Sequence, residues 1–165
     1  MDMADRGRFV REHGEIDVPG LSLAEIMREV LAKGRPFRFR ARGLSMSPFI
    51  KDGDVVTVSP LEDAAPRTGD VLAFLHPTTG KVVVHRIVRQ SPGSYDLKGD
   101  NAAESDGSLP AGRVLGIVTR VERDGAAVRL GRKSGAVVAQ LSRTGLLRKA
   151  VGAARRTGLR NRGRR

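Results

Sequence analysis

The 165-residue sequence has no cysteine and no tryptophan, and only one tyrosine and five phenylalanines. Missing thiols exclude a disulfide framework, a cysteine nucleophile and thiolate-ligated zinc, and nothing marks an oxidising compartment. So few aromatic rings leave little for nucleic-acid bases to stack on. Long apolar runs are missing as well: the longest reach about half a dozen residues, against the roughly 20 that a spanning helix needs. Residues 1–20 mix acidic and basic side chains, unlike a secretory leader. A cytoplasmic protein is therefore expected.

Acidic residues stop at Asp124. The formal charge is +12, and residues 125–165 hold the whole excess, since basic and acidic side chains balance up to Asp124. A neutral fold followed by a polycation is the simplest reading. Such a tail can meet an anionic membrane surface or a nucleic acid, or can be merely solvated. Leu146, Leu147 and Val151, which could insert beside the cations, put the membrane ahead of nucleic acid for residues 136–165.

With 39% hydrophobic residues, one core built mainly from Val, Leu, Ile and Ala is affordable, and the length suits one domain of roughly 100 to 150 residues plus extensions. The expected divisions are a flexible leader at 1–20, a folded domain at 21–131 and a basic tail at 132–165. After Pro19-Gly20, Leu21, Ala24, Ile26, Met27, Val30 and Leu31 recur at mostly helical spacing, with Ser22 as cap and Glu25 three residues on. Gly34 and Pro36 end this helix.

Phe37, Phe39 and Ala41 then alternate with Arg38, Arg40 and Arg42, the period of a half-buried strand. Further strands are predicted at Val55–Val58, Asp70–Leu75, Lys81–Arg89, Tyr95–Lys98, Arg113–Val121 and Ala126–Leu130. A turn at His76–Gly80 joins two of them into a hairpin. Short strands separated by Gly, Pro and Asp favour a mostly-β barrel or sandwich with an N-terminal helix. Val137, Val138, Leu141, Leu146, Leu147 and Val151 suggest a marginal amphipathic helix in the tail.

Three blocks can carry chemistry: Gly43-Leu44-Ser45-Met46-Ser47-Pro48 followed by Gly53-Asp54; Val84-His85-Arg86; and Lys98-Gly99-Asp100-Asn101 followed by Asp106. A serine hydroxyl becomes a useful nucleophile when a base takes its proton and a third group orients that base. Ser45 lies where a strand runs into a turn, so its side chain can project and nearby amides can converge on an oxyanion. Each residue also has an ordinary reading: Ser45 as a turn serine, His85 as a satisfied strand histidine, Asp100 and Asp106 as turn formers. Gly53-Asp54 and Gly69-Asp70 read as strand-entry turns. His76 and His13 are weaker candidates for a base.

Taken together, over about residues 36–121, the blocks resemble the type I signal peptidase family, whose pattern is roughly Ser-Met-x-Pro, Gly-Asp, a basic residue on a strand, then Lys-Gly-Asp-Asn and an aspartate. The resemblance implies a signal-peptidase-like catalytic domain at 21–131 and serine endopeptidase activity. It also implies a leader or signal-like segment of a peptide or precursor protein as substrate. Lysine occupies the base position in typical bacterial members and in the self-cleaving repressors that share the fold. Histidine occupies it in the endoplasmic-reticulum, archaeal and sporulation-type enzymes, and His85 stands there in this sequence.

The resemblance assigns Ser45 as nucleophile, His85 as base and Asp106 as orienting acid, with Asp100 as a supporting residue or fallback. Arg42, Gly43, Leu44, Met46 and Val84 would line an extended substrate with small residues near the cut. The family often draws an oxyanion-hole hydroxyl from the residue two before the nucleophile. Gly43 has none, which leaves backbone amides, including that of Ser45. No metal or cofactor is implied. A different class of function is a catalytically inert module on the same fold, binding membrane or nucleic acid through its tail. Self-processing at Ala111-Gly112 is a further expectation.

Overall fold

The computed structural model describes residues 22–61, 66–128, 130 and 139. The expected leader, most of the expected tail and the amphipathic tail helix fall outside those residues.

The predicted helix is α1, Leu23–Ala32. The Ser22 hydroxyl accepts from the Glu25 amide, and the Glu25 carboxylate accepts from the Ser22 amide at 2.7 Å. This capping box satisfies two of the amides that a helix start leaves open, and a cap of this kind contributes about 1 kcal/mol. Ala24, Met27 and Leu31 form its buried stripe. Lys33 ends the helix and Gly34 turns the chain with φ +70°.

Eight strands follow: β1 Phe37–Arg40, β2 Val55–Ser59, β3 Val71–Leu75, β4 Val82–Ser91, β5 Ser94–Lys98, β6 Gly107–Pro110, β7 Val114–Arg123 and β8 Ala126–Val128. They form one antiparallel sheet in the order β1-β2-β7-β3-β4-β5-β6, with β8 paired to β7. The fold is thus mostly β with an N-terminal helix, as the sequence suggests. The barrel, however, does not close: among the described residues, β1 and β6 remain edges.

Strand β6 was not legible, because Gly107 and Pro110 argue against a strand. Pro110 is tolerated at an edge, where its missing N–H costs no ladder bond, and Leu109, 1% exposed, anchors the strand. Strands β4 and β7 alternate less cleanly than their sequences promise. Register shifts between Ile87 and Arg89 and between Thr57 and Val58 interrupt the period of two.

Two apolar clusters hold the sheet. One joins Met27 and Leu31 of α1 to Met46, Ile50, Val56, Val58, Val71, Val118 and Val121, and includes Leu130. The other gathers Leu72, Phe74, Ile87, Leu97 and Leu109. Each fully buried Leu, Ile, Val or Phe of these clusters is worth roughly 1.5–3 kcal/mol. Rows of Val and Leu on β2, β3 and β7 therefore decide the pairing, and the polar loops are carried by them.

One ion pair fastens the loop after β1. Arg123 donates to both carboxylate oxygens of Asp54, at 2.9 and 2.7 Å, and to the Phe49 carbonyl. Asp54 also accepts from the Lys51 amide. Burial pushes the Asp54 carboxyl up, but the Arg123 and Lys51 hydrogen bonds and their charges outweigh it and hold it below the usual carboxylate range. Because the folded state binds this proton less tightly than the unfolded chain, its stabilisation is full above the unfolded pKa of about 3.9 and is lost as pH falls through the lower folded value. In urea titrations from pH 6 to pH 3, Asp54→Asn is expected to cost about 3 kcal/mol at pH 6. The variant's further loss on acidification should be smaller than that of the wild type.

Candidate active site

Strand β1 delivers the chain to Gly43, whose φ of +91° suits glycine and whose amide donates to the Asp52 carboxylate at 2.7 Å. From there the chain winds through tight turns: the Ser47 amide reaches the Leu44 carbonyl and the Ile50 amide the Met46 carbonyl. Ser45 is exposed at the head of this loop, while Met46, 4% exposed, is sunk in the core beneath it. Neighbouring residues with opposite fates fix the direction of Ser45. They also correct one expectation: Met46 anchors the loop from below and has no side chain to offer a substrate.

His85 lies in the middle of β4, opposite Leu72 of β3, with its ring 6.0 Å from that of Phe74. It is 8% exposed. Its Nε2 lies 3.0 Å from Ser45 Oγ and its Nδ1 lies 2.5 Å from Asp106 Oδ2. A carboxylate can only accept, so Nδ1 carries the proton and donates it to Asp106. The Nε2 lone pair then faces the Ser45 hydroxyl. Serine, histidine and aspartate, predicted from three separated blocks, meet in one line.

The loop between β5 and β6 brings Asp106 into that line. The Leu97 carbonyl accepts from the Asp106 amide at 2.9 Å and from the Ser105 hydroxyl at 2.8 Å, which closes the loop at its neck. Inside it the Lys98 ammonium donates to the Ala103 carbonyl. Asp106 is thus positioned by backbone pairing next to a strand, the arrangement that an orienting carboxylate needs.

The same loop clasps the turn that carries Ser45. The Asn101 amide donates to the Ser45 carbonyl at 2.7 Å, and the Asn101 side chain donates to the Leu44 carbonyl at 3.2 Å. Contact is close enough that a Cβ on Gly99 would stand 2.8 Å from the Ser45 carbonyl oxygen and 3.0 Å from His85 Nε2. Only a residue without a side chain lets the loop lie this close against both His85 and Ser45.

Asp100, the fallback acid, has another task. It accepts two hydrogen bonds from Arg86, at 2.9 and 2.8 Å, while Arg86 also donates to the Gly69 carbonyl and lies 5.2 Å from the centre of the Phe49 ring. Both side chains are almost wholly buried. Arg86 follows the base and Asp100 follows Gly99, so this pair ties the base strand to the clasping loop. Arg86, Gly99 and Asn101 stand inside the blocks read from the sequence but had no role assigned there, and Phe49 stands outside them. Arg86 carried a signal nonetheless, since a charged residue inside the apolar run of β4 demands a buried partner.

Of the expected lining residues, Arg42, Gly43 and Leu44 are exposed beside Ser45, Leu44 at 47%. Val84 is half-buried and packs against the first apolar cluster. Among the described residues the Ser45 amide has no hydrogen-bond partner and is free to donate to a developing oxyanion. The Gly43 amide is already taken by Asp52. Ala111 and Gly112 lie in a 3-10 turn whose Ala111 amide is bonded to the Gly93 carbonyl, so their peptide bond is not in the extended form a peptidase takes up. Among the described residues, no group of three or more His, Cys, Asp or Glu could hold a metal ion, and no helix is long and apolar enough to cross a membrane.

Gly99→Ala is expected to lower peptide-cleavage activity by roughly a hundredfold, the scale of a displacement near 1 Å at reacting groups. Thermal melting should fall far less than for Arg86→Ala, which strands a buried carboxylate at a cost of about 3–5 kcal/mol.

No curated protein matches the sequence. The family model for Peptidase S24-like proteins does match, over residues 12–121, about two thirds of the chain and the whole stretch from α1 through most of β7. With that match across Ser45, His85 and Asp106 and across the mostly-β sheet that carries them, the chain belongs to the Peptidase S24-like family.

Proposed function

We propose that this protein is a serine endopeptidase in which Ser45 attacks the scissile carbonyl, His85 moves the proton and Asp106 holds the imidazole in its working tautomer. The observation that carries the reading is the continuous hydrogen-bonded line from Ser45 Oγ through both ring nitrogens of His85 to Asp106. As the hydroxyl oxygen bonds to the carbonyl carbon, its proton passes to Nε2. The carbonyl oxygen becomes an oxyanion facing the Ser45 amide. Collapse of the tetrahedral species expels the amine, which takes the proton back from Nε2, and an acyl-enzyme remains. Water, deprotonated by the same nitrogen, then releases the acid and restores the hydroxyl.

The substrate is proposed to be a leader or signal-like segment of a peptide or precursor protein, bound extended beside Arg42, Gly43, Leu44 and Val84. Histidine at the base position supports a place near the histidine-using type I signal peptidases within the wider family. An extended substrate suits the site, because main-chain pairing supplies affinity without an enclosed pocket.

Intact-mass analysis after incubation with leader-type peptides from the producing cell tests the reading. Cleavage by wild type and none by Ser45→Ala or His85→Ala is the expected result. Asp106→Asn should slow the reaction on the order of 10⁴-fold by favouring the wrong tautomer. Cleavage undiminished in Ser45→Ala would remove the nucleophile and with it the proposal.

A further inference from the structure

Among the described residues strand β1 pairs only with β2 and is an edge of the sheet, and its sequence is Phe37-Arg38-Phe39-Arg40. Phe37 and Phe39 pack towards the apolar core, while Arg38 and Arg40 are exposed on the other face. Beyond the strand, Ala41 turns both its main-chain groups inward: its amide donates to the Asp54 carbonyl and its carbonyl accepts from the Gly53 amide. In an antiparallel ladder the direction of these groups alternates from residue to residue. The N–H and C=O of Arg38 and Arg40 therefore face the unpaired side. The residues whose main chain can receive another strand are the same two that carry the guanidinium groups.

Those charges are under-compensated. The Arg40 guanidinium donates to the Gly53 carbonyl, and no carboxylate among the described residues forms an ion pair with it. Arg38 shares the single carboxylate of Glu122 with Arg120. Arg42, exposed two residues further on, is engaged in an interaction of its own and is not counted. A polypeptide laid along this edge would place every second side chain on the face of Arg38 and Arg40, at the spacing of directly opposed cross-strand pairs. Ser45 follows only a few residues after Arg40.

Resting on the peptidase reading, we infer that β1 is a specificity element. It selects extended substrate segments with acidic side chains at alternate positions, Arg40 and Arg38 being the residues that read them. The partner is identified by its charge and period, whichever direction it runs. Solvent-exposed ion pairs are modest and salt-sensitive, so each contact should change affinity by about two- to fivefold at low ionic strength.

The test uses pairs of cleavable peptides identical except that two residues, spaced i and i+2, are both Glu or both Lys, with the pair scanned along each side of the cut. At one register, wild type is expected to show a kcat/KM about tenfold higher for the Glu peptide, and the ratio should shrink in 0.5 M salt as screening grows. Arg40→Gln, which can still donate to Gly53, should reduce that ratio severalfold, and Arg38→Glu combined with Arg40→Glu should invert it. Equal rates for Glu and Lys peptides at every register, or a preference unchanged in Arg40→Gln, would overturn the inference. Binding of the same peptides to Ser45→Ala, read by fluorescence anisotropy, separates the two questions. Charge-selective binding with no cleavage by wild type would sink the peptidase reading and keep the edge. Cleavage with charge-blind binding would do the reverse.

Discussion

The pairing of Arg86 with Asp100 is the interaction on which the site most depends. Both side chains lie in the interior, where an isolated charge would cost several kcal/mol, so each is held to the other with little freedom. Their backbone neighbours inherit that restriction. His85 precedes Arg86 on β4, and Gly99 and Asn101 flank Asp100 in the loop that grips Ser45. One bidentate contact thus fixes the distance between His85 on a strand and Ser45 on a turn. A hydrophobic pair of equal volume could stabilise the fold as well, but it would not fix direction in the way two parallel N–H···O bonds do.

Around this centre the structure divides its labour. Strands with Val and Leu on both faces give rigidity, and the three hydrogen-bonded side chains sit on strand β4, on the loop after β1 and on the loop after β5. The loops are not free: each is closed by backbone carbonyls that accept from nearby amides, as at Leu97 and Leu44. Positional precision comes from main-chain hydrogen bonds, and exposure of Ser45 comes from burying its neighbour Met46. The Ser45 hydroxyl is therefore presented at the surface without a deep pocket being opened.

Most of the strand pattern was legible because alternation of apolar and polar residues states which face is buried, and the capping box at Ser22 and Glu25 announced the helix. What could not be read has physical reasons. Strand β6 exists by virtue of β5 beside it and Leu109 beneath it, since its own residues have little preference for extended structure. Closure of a barrel depends on how the two edges meet, and no local pattern encodes that. Ser45, His85 and Asp106 could be picked out from their order and from resemblance, with Asp100 as a supporting residue or fallback, but the contacts that hold the three together could not. Asp100 looked like a spare acid until its tertiary partner was known, and the need for Gly99 arises only from a contact between segments far apart in sequence.

Strand order carries one more consequence. Strands β2 and β3, which follow each other in the chain, are not neighbours in the sheet: β7 lies between them. The half carrying β1 and the Ser45 turn is joined to the half carrying His85 through a strand that emerges from the ribosome after Ser45, His85 and Asp106. Non-local pairing of this kind is paid for late in folding. A nascent chain can therefore hold Ser45, His85 and Asp106 before the strand that joins the two halves of the sheet has been made, so their alignment depends on a segment outside all three blocks.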